Sequence, residues 1–129
     1  MTSPFTLISA DQHVAANELA FAVRDANPVS RGHTLVVPRR EIATWFDATP
    51  DEHAALAALV GQVREQLDVE LAPDGYTLGV NVGEAAGQTV MHLHVHVIPR
   101  WTGDVAEPRG GVRGVVPERR DYPAAPGRR

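Results

Sequence analysis

Three histidines alternate with aliphatic residues over positions 92–97, and half of the six histidines of the chain fall within five positions there. A period of two is typical of a β-strand, whose successive side chains point to opposite faces. The pattern therefore predicts a strand that carries His92, His94 and His96 on one face. That face would be available for chemistry, and the aliphatic face would pack in the core.

Three explanations of this run differ in their chemistry. The histidines could be the polar side of a half-exposed strand, or they could bind a metal, since neutral imidazole is a common ligand. Same-face neighbours on a strand lie about 6.6–6.8 Å apart, so the outer rings would be about 13 Å apart, which is too wide for one ion to bind all three. The chain also has no cysteine to complete a metal site.

The third explanation is nucleophilic attack at phosphorus, and it is the one that we favour. Neutral imidazole is a good nucleophile when an acceptor holds its second nitrogen as N–H, so that the lone pair faces the substrate. Flanking imidazoles can hold that orientation, stabilise charge on phosphoryl oxygens and supply a proton to the leaving group. The middle residue, His94, is the natural nucleophile.

The segment 92–98, His-Leu-His-Val-His-Val-Ile, resembles the motif of the histidine triad (HIT) family, in which histidine alternates three times with hydrophobic residues and two hydrophobic residues follow. The similarity extends upstream to Asn81, Gly83 and residues 86–89, and further to residues 28–38. It covers about residues 5–105. The resemblance implies an α+β fold with an antiparallel sheet of about five strands, one long helix and one short helix.

The resemblance also implies a two-step hydrolysis through a covalent nucleotidyl-histidine. His94 would attack the α-phosphorus of a nucleotide, and water would then release a nucleoside monophosphate. His96, helped by Thr89, would neutralise the phosphoryl oxygens and protonate the leaving group. His92 and His33 would keep His94 in its reactive tautomer.

Substrate-binding residues are expected at two loops. In the family, an acidic or amide residue at the place of Asp25 binds the ribose hydroxyls, and Val23 and Ala26 beside it would line the pocket for the base. Residues 83–89 are not a nucleotide-binding P-loop, because three residues rather than four separate the glycines and Gln88 stands in place of lysine. By resemblance, this loop contacts phosphates and ribose through Asn81, Gly87, Gln88 and Thr89.

Several activities within the family stay open at this point. The transferase branch replaces the third histidine with glutamine, so His96 favours hydrolysis. Residues 86–90 and the pair Pro99-Arg100 are more similar to the fragile-histidine-triad, dinucleoside polyphosphate hydrolases than to the nucleoside phosphoramidases. The alternatives are a pathway-specific hydrolase of another nucleotide conjugate and a nucleotide-binding adaptor that has lost turnover.

The composition limits the partners. The net charge of −4 gives no basic field for nucleic acid. No apolar run approaches the roughly 18 residues of a membrane span, and the first residues lack the basic and apolar regions of a secretory signal. We therefore expect a cytoplasmic protein without nucleic-acid or membrane partners. By resemblance, we expect a homodimer that takes a purine nucleotide and needs no cofactor or bound metal, with Mg²⁺ only accompanying a polyphosphate substrate.

The elements that must position the site can be placed by pattern. Strands are expected over residues 19–25, 32–38 and 76–82, before the triad strand. A helix over residues 50–70 is predicted by Thr49 at the N-cap, Pro50 at the first helical position and Glu52 completing a capping box. It would carry an apolar stripe at helical spacing formed by Leu56, Leu59, Val60, Val63 and Leu67.

The 129 residues are enough for one domain. We assign residues 1–105 to the HIT domain and residues 106–129 to a tail rich in arginine, proline and glycine. Within the domain, residues 39–47 would form a short helix or an irregular connection, with Ile42, Trp45 and Phe46 packed inward.

Overall fold

A five-stranded antiparallel sheet and one long helix form the framework of the protein, in a computed structural model that describes residues 2–122. The strands are β1 (Ala15–Ala16), β2 (Ala20–Arg24), β3 (Thr34–Pro38), β4 (Gly75–Gly79) and β5 (Val95–Arg100), and the helix is α1 (Pro50–Leu71). The order across the sheet is β1-β2-β3-β5-β4, so β5, the last strand of the described residues, lies between β3 and β4. The predicted α+β fold is confirmed.

The two faces of the sheet are covered differently, because side chains alternate along each strand. One face packs on α1 through the larger core cluster, which includes Ala22, Val36, Val97, Leu56, Leu59, Val63 and Leu67. The other face carries a smaller cluster, closed by Phe5 from the N-terminal segment and formed by Phe21, Val23, Leu35 and Val37. His96 lies on this second face, since it is paired across the sheet with Leu35.

Helix α1 begins where the capping box predicted. The Thr49 hydroxyl accepts the Glu52 N–H at 3.1 Å, and the Glu52 carboxylate accepts the Thr49 N–H at 2.9 Å. Arg40 donates two further hydrogen bonds to this buried carboxylate, at 3.0 and 2.7 Å. The Arg40 bonds, and then the Thr49 backbone bond, hold the pKa of Glu52 at about 2. Glu52 thus ties the first turn of α1 to the segment that follows β3.

Replacing Thr49 by alanine should lower the free energy of unfolding by about 1 kcal/mol, because the Glu52 N–H loses its acceptor. Thr49→Ser keeps the hydroxyl and is the matched control, with nearly wild-type stability. Urea denaturation followed by circular dichroism measures both. Equal midpoints for the alanine and serine variants would show that the cap contributes nothing.

The connection between β3 and α1 is mostly irregular, which is one of the two forms expected. It contains the short 3₁₀ helix Trp45–Asp47. The Ile42 carbonyl accepts the N–H of Leu93 at 2.8 Å, and the Ala43 carbonyl accepts the side-chain amide of Gln88 at 2.6 Å. These bonds turn the backbone carbonyls towards the triad segment and away from a helix. The prediction that Phe46 packs inward is wrong, since Phe46 is 80% exposed.

The chain after β5 contains the 3₁₀ turns Gly111–Val115 and Pro117–Arg119. Arg109 and Arg113 lie on the ring of Tyr122, with their guanidinium carbons 4.4 and 4.5 Å from its centroid. Residues 123–129 of the expected tail lie outside the described residues. Among residues 2–122, no helix has the length and apolar character needed to cross a membrane.

Candidate active site

Strand β5 begins later in the triad segment than the alternation of histidine and aliphatic residues predicted. The strand begins at Val95, so it contains His96, while His92 and His94 precede it. The prediction that one strand carries all three rings is therefore wrong for the first two. The rings still form a continuous row, because Phe5 lies 5.7 Å from His92 and 5.0 Å from His94, and His94 lies 5.1 Å from His96, between ring centroids.

His92 is fully buried, at 0% exposure, and both of its ring nitrogens are bonded. Its Nε2 lies 2.8 Å from the Pro38 carbonyl oxygen, which can only accept. In the neutral ring the proton must therefore be on Nε2, and Nδ1 is a lone pair. The Ser3 hydroxyl, 2.7 Å from Nδ1, donates to that lone pair.

His94 is oriented by a backbone group. Its Nδ1 lies 2.8 Å from the carbonyl oxygen of His92, so Nδ1 carries the proton and donates it. The lone pair of the neutral ring is then on Nε2, which is the nitrogen that a nucleophile needs. The imidazole of His92 was expected to fix this tautomer, whereas its main-chain carbonyl makes the contact.

His33 contacts His96 rather than His94. The Val29 N–H donates to His33 Nδ1 at 3.1 Å, so the proton of the neutral His33 ring is on Nε2. That N–H lies 3.0 Å from His96 Nδ1 and 3.5 Å from the Asp25 carboxylate. His96 therefore accepts at Nδ1 and presents an N–H at Nε2. The expected orienting role of His33 is directed at His96.

Both members of this pair favour the neutral form. Burial lowers the pKa of His33, and the Asp25 carboxylate opposes that shift only in part. Burial is also the largest cause of the lowered pKa of His96, followed by repulsion from His94 and His33. His96 is therefore a neutral hydrogen-bond donor at neutral pH.

The residues expected around the base and ribose lie at the end of β2. Val23 is buried in the smaller core cluster, and Ala26 is exposed in the following turn. Asp25 accepts the N–H of Asn27 with one carboxylate oxygen, at 2.8 Å, and points the other towards His33. The structure therefore brings Asp25 to the histidines, while Val23, two residues earlier on β2, packs in the smaller core cluster.

The loop before the triad segment presents some of its expected residues and buries another. Gly83 and Gly87 have φ values of 88° and 93°, a conformation that favours glycine. Asn81, Gly87 and Thr89 are exposed. Gln88 is 2% exposed, and its amide bonds the backbone of Gly83, Ala43 and Val90. The expected phosphate contact of Gln88 is corrected to a bracing role, because its side chain could reach a ligand only by breaking these bonds.

Comparison with models of protein families shows which family this chain belongs to. Residues 8–103 match the model of the HIT domain. The chain belongs to the histidine triad family. A protein of Mycobacterium tuberculosis named AP-4-A phosphorylase is 39% identical to this HIT protein over 92 residues, which are 70% of this chain and 47% of that protein.

Two further relatives have similar identities. An uncharacterized HIT-like protein of Methanocaldococcus jannaschii is 41% identical over 103 residues, 78% of this chain and 73% of that protein. The asymmetrical bis(5'-nucleosyl)-tetraphosphatase of Schizosaccharomyces pombe is 36% identical over 90 residues, 70% of this chain and 50% of that protein. The chain thus spans about half the length of the two relatives named for an activity.

Solved HIT structures have the same fold. A HIT family protein of Bacillus subtilis superimposes with a TM-score of 0.73 at 30% identity, covering 81% of this chain and 77% of that one. One from Bacillus anthracis gives a TM-score of 0.69 at 35% identity, covering 72% of this chain and 66% of that one.

One group in this HIT site has the composition of a metal centre. Ligand atoms of Asp25, His33 and His96 lie within 4.8 Å of one another. However, His33 Nδ1 accepts the Val29 N–H, so the proton of the neutral ring is on Nε2. His33 Nε2 could bind a metal only if it lost this proton, and the Val29–Nδ1 bond would then have to break for the proton to move to Nδ1. The group fits a hydrogen-bonded cluster better than an ion site. Mg²⁺, which prefers oxygen ligands, would find a single carboxylate here.

Sequence reasoning missed the groups that set the tautomers of the HIT histidines. They are the Ser3 hydroxyl and the backbone groups of Val29, Pro38 and His92. Backbone donors and acceptors are the same for almost every residue type, so they leave no pattern to find. Ser3 is 89 positions from its partner His92 in the sequence. The contact is seen only in the structure, where both residues are buried.

The stability of the protein should fall as pH falls below about 6.5. Histidine in the unfolded chain takes up a proton near pH 6.5, whereas the lowered pKa values of His33 and His96 keep both rings neutral to lower pH in the fold. The unfolded state then binds more protons, which favours unfolding. Urea denaturation at pH 7.5 and 5.5 measures the difference, which should shrink in a His33→Asn/His96→Asn double variant. An unchanged difference in that variant would exclude these two rings as the source.

Proposed function

We propose that the protein is a nucleotide hydrolase that cleaves dinucleoside polyphosphates at the α-phosphate through a nucleotidyl group carried on His94. The observation that supports this most directly is a pair of adjacent nitrogens with opposite roles. His94 Nε2 offers a lone pair, and His96 Nε2 offers an N–H, on rings whose centroids are 5.1 Å apart. One nitrogen can attack phosphorus while the other stabilises a phosphoryl oxygen.

In the first step, His94 Nε2 attacks the α-phosphorus, a P–N bond forms, and the bond from phosphorus to the bridging oxygen breaks. The His92 carbonyl accepts from His94 Nδ1–H throughout and stabilises the positive charge that develops on the ring. The His96 N–H and the Thr89 hydroxyl would bind the phosphoryl oxygens. Negative charge that builds on these oxygens is thereby placed next to two donors.

In the second step, water attacks the same phosphorus and the P–N bond breaks. The lone pair returns to His94 Nε2, the water oxygen stays on the released monophosphate, and its proton passes to solvent. Dividing one displacement into two easier ones is the usual advantage of a covalent intermediate.

The state of His96 favours a phosphoric anhydride over a phosphoramide as substrate. A polyphosphate can leave as an anion that accepts a hydrogen bond, whereas an amine must receive a proton. A neutral His96 can release its Nε2 proton only if another proton reaches Nδ1. That proton would have to come from His33, whose second nitrogen is occupied by the Val29 N–H. A nucleoside phosphoramidase is therefore the weaker alternative.

The rest of the substrate would contact the residues expected around the triad. Asp25 would accept the ribose hydroxyls, beside a base pocket formed with Val23 and Ala26. Asn81 and the backbone at Gly87 would contact phosphate and ribose. We propose a purine nucleotide, and Mg²⁺ would enter bound to the polyphosphate, since its oxygens are the ligands that this cation prefers.

Replacing His94 by asparagine should reduce the release of AMP from diadenosine tetraphosphate by at least about 10³-fold. The matched control is His53→Gln, since His53 bonds the Trp45 carbonyl, outside the site, and this variant should retain wild-type turnover. Product analysis by chromatography measures both, and alkaline quenching with labelled substrate, which preserves a P–N bond, should trap the nucleotidyl adduct on the wild-type protein only. Turnover that survives in His94→Asn would remove this residue from its role.

A panel of substrates in the same assay separates the alternatives. Faster cleavage of adenosine phosphoramidate than of diadenosine tetraphosphate would favour a phosphoramidase, and cleavage confined to another nucleotide conjugate would favour a pathway-specific hydrolase. Nucleotide binding without any product would favour an adaptor.

Phosphorolysis is a second candidate, because the mycobacterial relative is named a phosphorylase. Inorganic phosphate would then replace water in the second step, and its oxygen would form the new bond to the nucleotidyl phosphorus. The product would be ADP in place of AMP. Adding phosphate to the assay distinguishes the two acceptors directly.

We also propose that two copies of the chain associate through α1 and the edge strand β4. A mostly apolar groove of about 330 Å³ separates these elements and includes Trp45, Val60, Leu78 and Val80 in its lining. Leu78 is 50% exposed there. Apart from Gly61, its two chain neighbours and the nearby backbone of α1, no atom in the described part of the chain lies within 4 Å of where a Cβ on Gly61 would be, so a second helix could approach closely.

Replacing Leu78 by arginine should convert a dimer to a monomer, because the charge would lie in an apolar contact. Val69→Arg is the matched control, since Val69 is 88% exposed. It follows Val60 by nine residues, about two and a half helical turns, so it points to the opposite side of α1. Light scattering after gel filtration measures the mass. A monomeric wild-type protein would contradict the proposed association.

A further inference from the structure

The N-terminal 3₁₀ turn, Pro4–Leu7, meets two of the three triad histidines. Ser3 caps this turn and contacts His92, and the Phe5 ring lies edge-on to His94, with a centroid distance of 5.0 Å and an angle of 63°. We infer that the turn is a positioning element of the active site, in which Ser3 and Phe5 keep His94 in the tautomer and ring orientation that attack requires. This inference rests on the proposed nucleophilic role of His94.

The donor and acceptor roles of the Ser3 hydroxyl can be assigned. Its oxygen accepts the N–H of Phe5 at 3.1 Å, which closes the turn. Its own hydrogen is then free to donate to His92 Nδ1, which is a lone pair because Nε2–H bonds the Pro38 carbonyl. Ser3 and His92 are both buried, so water does not replace either partner readily. The hydroxyl is therefore fixed in position and direction by both of its bonds.

His92 transmits this constraint to His94 through the main chain. Its ring is bonded at both nitrogens, to groups that belong to two different parts of the fold. A ring held at both ends fixes the side-chain torsions of residue 92 and, through them, its backbone. The carbonyl oxygen of His92 is then held 2.8 Å from His94 Nδ1.

His94 needs this support because its ring torsion is otherwise soft. The χ2 torsion of histidine is broad and roughly two-fold, so a half-turn exchanges the ring nitrogens with ring carbons at little intrinsic cost. Such a rotation would break the bond to the His92 carbonyl and move Nε2 away from the position of attack. Phe5 packs against one side of the ring, and Phe5 is itself held in the smaller core cluster with Phe21 and Val23.

Replacing Ser3 by alanine tests the inference. The variant leaves His92 Nδ1 buried without its donor, so His92 and the carbonyl that it positions should become less well fixed. We expect kcat for diadenosine tetraphosphate to fall about 10- to 100-fold, because small misplacements of a reacting group have effects of this size. KM should change by less than about threefold, since the residue binds no part of the substrate.

Tautomer populations provide a readout that does not depend on activity. In ¹⁵N-histidine NMR spectra, the wild-type protein should show His94 protonated at Nδ1, and Ser3→Ala should show a mixture with the Nε2-protonated form. Absence of turnover by the wild-type protein would count against the proposed function alone, because these spectra need no substrate.

Ser9→Ala is the matched control. It removes an exposed hydroxyl outside the turn, one that donates to the Asp11 carboxylate, and it should leave kcat and the His94 tautomer unchanged. Phe5→Leu, which keeps apolar volume but removes the ring edge, decides the matter if circular dichroism shows that Ser3→Ala does not fold, and it should also give a mixture of tautomers. Wild-type tautomers in a folded Ser3→Ala or Phe5→Leu variant, or an equal loss of kcat in Ser9→Ala, would overturn the inference.

Discussion

Neutral imidazole has one donor and one acceptor, and the site depends on which nitrogen is which. The protein decides this for each ring by giving one nitrogen a partner of fixed polarity. His92 Nε2 donates to the Pro38 carbonyl, and His94 Nδ1 donates to the His92 carbonyl. His33 Nδ1 accepts the Val29 N–H. The remaining nitrogens follow from these assignments. The outcome is a lone pair on one half-buried ring, His94, and an N–H on its neighbour, His96.

The fold makes these assignments possible by bringing distant segments together. Strand β5 lies between β3 and β4, so the triad segment just before it runs beside the residues that follow β3. The Ile42 carbonyl holds the Leu93 N–H there, and the amide of Gln88 braces the loop against the same segment. The smaller core cluster then supports Phe5 under the rings. Core packing and site geometry are two aspects of one set of contacts.

Much of this could be predicted from the sequence, because the relevant signals are carried by side chains. The capping residues of α1, its apolar stripe and the triad itself are of this kind. Other features depend on contacts made by the backbone, which looks alike in every sequence. The late start of β5 follows from the Leu93 bond to Ile42, and the extended course after β3 follows from the same bond. Phe46 shows a different limit, since helical spacing predicted a buried ring in a segment that does not form an α-helix.

The contact between Ser3 and His92 joins positions separated by 89 residues. A ribosome adds about 5–20 residues per second, so several seconds pass between the synthesis of the first of these residues and the second. During that time Phe5 has no imidazole to pack against, and the amino-terminal turn lacks the partner that fixes it. The chemistry of this chain therefore arrives late in biosynthesis, only after β5 has emerged and paired between β3 and β4.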